Sequence, residues 1–146
     1  MLALIDGQTH ILNLAKHVKK IAQGDFMTID NDGCAVQAVQ GDIVKAISFN
    51  DYNAKDLYFG IPRIVVVVMG KVWTSNFNKE LQYKPLDRIY IEQAIGDVGP
   101  TFTNRSDCRP DTLCGYVTEG ILKEDDGQTL LGVYFSPFMN PYGVRF

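Results

Sequence analysis

The run Ile64-Val-Val-Val-Val-Met69 limits the fold more than any other part of this chain. Unbroken β-branching restricts the side-chain rotamers and favours a pleated strand over a helix. The run does not alternate with polar residues, so it predicts a strand covered on both faces. Gly70 then interrupts the pattern before Lys71-Val-Trp-Thr74. A glycine at that place predicts a bulge or corner in one long, bent strand.

Shorter strands surround it. Phe26 to Ile29 and Cys34 to Val39 flank Asp30-Asn-Asp-Gly33, whose glycine suits the left-handed position of a hairpin turn. Ile43 to Phe49, Leu86 to Ile91, Gly99 to Thr103, Leu113 to Thr118 and Thr129 to Ser136 read as further strands, and Glu124 to Gly127 as a turn. Asn50 to Gly60 and Asn104 to Asp111 read as loops. Short strands broken by turns predict a mostly β fold, a β-barrel or β-sandwich.

Thr9 to Gln23 has a different period. Ile11, Leu12, Leu14, Ala15, Val18, Ile21 and Ala22 recur at three- and four-residue steps. That spacing predicts an amphipathic helix, with Thr9 as N-cap and Gly24 as its stop. The tail from Pro137 to Phe146 carries two prolines and three aromatics, which exclude a central strand. With 146 residues and no internal repeat, the chain predicts a single domain over 1–146. It divides into an N-terminal helix over 1–24, a β-domain over 25–136 and an extended C-terminal arm over 137–146.

Candidate chemistry is sparse. Asp30-Asn31-Asp32-Gly33 resembles the start of a calcium loop, but Ala35 and Gly41 stand where the glycine and the glutamate are needed. His10 and His17 lie seven apart, too far for zinc ligands on one helix. Cys34, Cys108 and Cys114 form no paired short spacing, which favours neither a disulfide framework nor a zinc site. Phosphate loops need a strand-to-helix junction, and no helix is predicted after Gly24. Tyr58, Phe59 and Arg63 could stack bases, yet the net charge of −3 argues against a nucleic-acid partner. No catalytic residue, cofactor site or metal site is therefore predicted, and the chain reads as a non-enzyme. Met1-Leu-Ala-Leu-Ile5 is broken at once by Asp6 and Gly7, which predicts no signal peptide. The apolar runs are shorter than the roughly 18–20 residues of a membrane span, which predicts no membrane partner.

The order of strands carries a resemblance. Ile64 to Trp73 is followed by the strand Asp87 to Ile91. Gly99-Pro-Thr-Phe-Thr103, Cys114-Gly-Tyr-Val117 and Leu130 to Phe135 come next. Over roughly residues 26–136 this resembles small phage capsid decoration (cement) proteins. Pro85-Leu86-Asp87 departs from that pattern, and the N-terminal segment and aromatic tail lie outside it. The resemblance implies a tulip-like β-domain with no activity and no cofactor. It also implies binding to the major capsid protein on the outer surface of a virion assembled in the host cytoplasm, and a homo-oligomer, with a trimer favoured. Other phage structural parts, of the tail or head–neck, and a nucleic-acid-binding β-barrel are the alternatives.

Apolar surface at both ends of the chain predicts protein interfaces. The expected contacts are Ile11, Leu14, Val18 and Ile21 on the helix, and Phe138, Tyr142 and Phe146 on the arm. Elemental analysis of the purified protein is expected to find neither zinc nor calcium in stoichiometric amount. Either metal at one per chain would overturn the reading of the acidic turns and cysteines.

Overall fold

The computed structural model describes residues 2–39, 41–57, 60–92, 100–123 and 126–139. Its strands are β1 (Leu2–Asn13), β2 (Lys20–Ile21), β3 (Phe26–Ile29), β4 (Ala35–Gln37), β5 (Ala46–Ser48), β6 (Tyr52–Asn53), β7 (Arg63–Thr74), β8 (Arg88–Glu92), β9 (Thr101–Thr103), β10 (Gly115–Lys123) and β11 (Thr129–Phe135). Among the described residues the helical pieces are short 3-10 turns at Ala54–Asp56, Pro110–Thr112 and Pro137–Met139.

The main sheet runs β4-β3-β5-β7-β11-β10-β8-β9, and β1 lies against β7. The long apolar run explains this order. β7 is paired along one edge by β1, and along the other by β5 near its start and β11 near its end. Backbone groups buried in such a strand have to find partners on both sides. The sheet then curls into a half-barrel. β9 comes back to the chain just beyond β7, where Phe102 bridges Phe77 and the Asn78 amide donates to the Phe102 carbonyl at 2.8 Å.

Two register shifts between β1 and β7 decide which side chains face where. One leaves Val68 as an extra residue on β7, and the other leaves Ile5 as an extra residue on β1. Between them Gly7 opposes Gly70. A Cβ on Gly7 would lie 2.3 Å from the Met69 carbonyl oxygen, and one on Gly70 would lie 2.3 Å from the Asp6 carbonyl oxygen. Only glycine allows that approach, and Gly70 also has a φ of 143°.

β7 consequently serves two cores. Ile64 and Val66 face a smaller cluster with Leu14, Ile21, Met27 and Ala35. Val67 and, past the bulge, Val72 face the larger cluster inside the curl. There Phe102 packs edge-on against Phe26 and Phe135, with ring centres 4.8 and 6.0 Å away. Ile89, Ile91, Val117 and Val133 are buried in the same cluster. Val68, expected in the core, is only half-buried because the bulge carries it towards the surface.

The N-terminal helix is not formed. Residues of its predicted first half, through Asn13, belong to β1, and Lys20–Ile21 is a short strand paired with β6. Tertiary pairing overrides local periodicity here, because β7 offers a full-length edge. Thr9, Ile11 and Asn13 are also mediocre helix formers. The apolar spacing is satisfied in another way. Leu14 bridges Ala35, and Leu14, Ala15 and Ile21 are buried beneath the irregular segment that closes the smaller core.

Val66 is fully buried at the centre of this arrangement. Val66→Ala is expected to destabilise the domain by about 1–3 kcal/mol, from lost methyl burial and a small cavity. Denaturant titration checks it, and an unchanged midpoint would contradict the central place of β7.

A candidate protein-binding groove

An open groove of about 500 Å³ lies on the outer face of β7. β1 supplies Gln8, His10 and Leu12 to one wall, β3 supplies Ile29, and Lys45 and Ala46 come from β5 and the residue before it. Val68 and Met69 form part of its floor, side by side in sequence. Neighbours on a regular strand point to opposite faces, so the bulge at Val68 is what brings both to one face. Phe138, in the turn after β11, completes the lining and is 48% exposed.

Polar chemistry does not converge in the groove. Among the described residues His10 and Lys45 are its ionisable side chains, and no carboxylate or thiol is among those that line it. A mostly apolar concavity with a polar rim suits an inserted apolar side chain better than a reaction.

A polar cluster lies elsewhere, around β8 and the loop after β9. The Arg105 guanidinium donates to Glu92 at 3.1 Å and to Asp107 at 2.8 Å. These contacts raise the Arg105 pKa and lower that of Asp107. Cys108 nearby has its thiol pushed up, first by burial and then by Glu92 and Asp107. Cys114 is buried, which raises its pKa strongly, and its thiol donates to the Ile89 carbonyl at 3.6 Å. A reactive cysteine needs the opposite shift. Among the described residues no group of three or more His, Cys, Asp or Glu side chains is placed to hold a metal ion. The Arg109 guanidinium pairs with Asp111, and the Lys71 ammonium with Glu119.

The expected interface residues are divided by the fold. Leu14 and Ile21 are buried in the chain's own core, and Val18 packs partly against it. Ile11 is 67% exposed on β1, and Phe138 lines the groove. Tyr142 and Phe146 lie outside the described residues, as do Tyr58, Phe59, Glu124 and Asp125. Sequence reasoning missed the groove, because its floor depends on a bulge in a run that shows no alternation. Against family models, curated proteins and solved structures alike, the chain matches nothing.

Tyr83 gives the polar region a pH signature. Its hydroxyl donates to the Asn78 carbonyl at 2.7 Å. Burial, reinforced by the charge of Glu92, raises its pKa from 10.0 to about 12. The folded state thus keeps a proton that the unfolded chain releases near pH 10. This contribution to stability is complete below pH 10 and is lost as pH rises towards 12. Tyr83→Phe is expected to flatten the fall in stability over that range, measured as the shift in denaturant midpoint between pH ~9 and ~11.5. An equal fall in the variant and the parent would contradict it.

Proposed function

We propose that this protein is a virion structural component, a decoration protein that binds and stabilises the assembled shell of the major capsid protein. The observation that carries this reading is the apolar groove bounded by Phe138 and floored by Val68 and Met69. A half-exposed aromatic beside an apolar concavity is the pattern of an interface anchor. The mostly β fold, and the resemblance of the sequence over roughly residues 26–136 to small capsid decoration proteins, support the same reading. The resemblance favours a trimer on the shell surface. The segment from Pro137 to Phe146 lies outside it and is proposed as a docking element on the strength of its aromatics Phe138, Tyr142 and Phe146.

The mechanism is thermodynamic. A protein that binds the assembled shell and not its separated subunits shifts the equilibrium towards assembly by mass action. Burying apolar surface across a seam gains about 25 cal/mol per Å², and what remains after the ordering cost of association is the binding energy. No residue has to perform a covalent step.

Co-sedimentation with shells assembled from the major capsid protein tests the reading. Phe138→Ala is expected to lower the affinity about 30-fold, the equivalent of a hot spot worth ~2 kcal/mol. Stability should change by no more than about 0.5 kcal/mol, since the side chain is half exposed. Deleting residues 140–146 tests the contribution of Tyr142 and Phe146 in the same assay. Wild-type occupancy by the Phe138 variant, or no binding by the parent protein, would overturn the proposal.

A further inference from the structure

The free edge of β1 carries an inference that does not depend on the shell reading. β1 is 12 residues long, and among the described residues β7 is its one partner strand. Proteins usually blunt such an edge with lysine, proline or short length. β4, at the end of the sheet, is 3 residues long. β1 reads Leu2-Ala-Leu-Ile-Asp-Gly-Gln-Thr-His-Ile-Leu-Asn13 and contains no lysine, arginine or proline. Its bulge lies at Ile5, and from Asp6 to Asn13 it is regular, since the second register shift belongs to β7.

The chemistry of this edge is symmetric about Gln8. Outwards from Gln8 stand Gly7 and Thr9, Asp6 and His10, Ile5 and Ile11, then Leu4 and Leu12. An antiparallel pair of β1 strands related by a two-fold axis at Gln8 sets each residue from Asp6 to His10 against its counterpart. Past the bulge at Ile5 the faces exchange, so Leu4, which packs with the larger core, does not meet Leu12 in the groove. The Asp6 carboxylate of one copy then faces the His10 imidazole of the other, and symmetry repeats the contact. An imidazole N–H can donate to a carboxylate in either protonation state. Asp6 and His10 are both exposed, and the Lys71 that opposes Asp6 across β7 holds its ammonium on Glu119. Ile11, 67% exposed, comes to Ile5 of the other copy, 55% exposed, beside the bulge. Moving the axis to Gly7 would set Asp6 against Gln8 and leave His10 beside the bulge. Moving it to Thr9 would set Asp6 against Leu12. One register is therefore favoured over its neighbours.

We propose that β1 is a self-association edge whose occupant is β1 of a second copy of this chain, paired about a two-fold axis at Gln8. The contact uses both free edges and closes on itself. It joins copies in pairs, and it would link a trimer held by other surfaces to a neighbouring trimer. Directly opposed residues share a face of the sheet, so both grooves open on the same side of the joined sheet.

The test uses the full chain. In a background with Cys34→Ser and Cys108→Ser, Gln8→Cys is expected to form disulfide-linked pairs under mild oxidation, because the axis brings residue 8 to itself. His17→Cys, on an exposed turn, is the control and should not. In sedimentation equilibrium of the parent protein, His10→Glu should weaken pairing roughly tenfold by placing like charges opposite each other twice. The double variant Asp6→Lys/His10→Glu reverses the pair and should restore affinity to within about threefold of the parent. Three results would each overturn the proposal: a parent protein that stays monomeric to about 100 µM, within the weak range of specific association; cross-linking at residue 8 no faster than at residue 17; or a double variant no tighter than His10→Glu alone.

Discussion

The structure depends on β7 being paired along both edges. An apolar strand of 12 residues cannot leave its amides and carbonyls unbonded away from water. β1 satisfies one edge along its length, while β5 and β11 divide the other. That division makes the fold. Strands that follow β5 outwards, β3 and β4, flank the smaller core. Strands that follow β11 outwards, β10, β8 and β9, curl around the larger one. A single strand thus orders both halves of the domain.

The bulges turn this pairing into usable surface. A regular β7 would keep Ile64, Val66 and Val68 on one face to its end. The extra residue at Val68 exchanges the faces, so Val72 enters the larger core and Met69 joins Val68 in the groove. The bulge at Ile5 makes the matching exchange on β1. Leu2 and Leu4 pack with the larger core, whereas Gln8, His10 and Leu12 line the groove. The Gly7–Gly70 contact lets the two backbones approach between these exchanges. The groove is therefore a product of sheet irregularity and not of a loop.

Much of the β architecture was legible in local chemistry. β3 begins and ends where its apolar residues do, and Asp30 accepts amide hydrogen bonds from Asp32 and Cys34 in the turn that its Asn-Asp-Gly motif predicts. β7 continues through Gly70 as a single strand, as expected, but its extra residue is Val68, and Gly70 pairs in register with Gly7. The N-terminal segment was misread because Leu14, Val18 and Ile21 repeat at helical spacing while the decisive partner, the edge of β7, lies far away in sequence. Periodicity reports which residues are buried, and an irregular segment can bury the same residues as a helix. The site was less legible than the fold. Phe138 is legible as an aromatic on a proline-flanked arm, but the place of Val68 and Met69 on the groove floor depends on the register of β1 on β7, which an unalternating apolar run does not reveal.

The two proposed contacts meet on β1. This strand is exposed over most of its length, so its place on β7 rests mainly on backbone hydrogen bonds. Few buried side chains hold such an edge, and it is expected to open more readily than the strands of the core. Gln8, His10 and Leu12 nevertheless form a wall of the groove. On the proposed pairing, a second β1 supplies hydrogen bonds to the outer edge and reduces the freedom of that wall. A partner entering the groove then finds less to order, so self-association and groove binding favour each other. Linkage makes the effect reciprocal: a side chain seated between Leu12 and Phe138 would tighten the pairing by the same factor. On the proposed shell reading a decorated lattice would gain from such coupling, because each occupied groove would strengthen the contact that brings the next groove alongside.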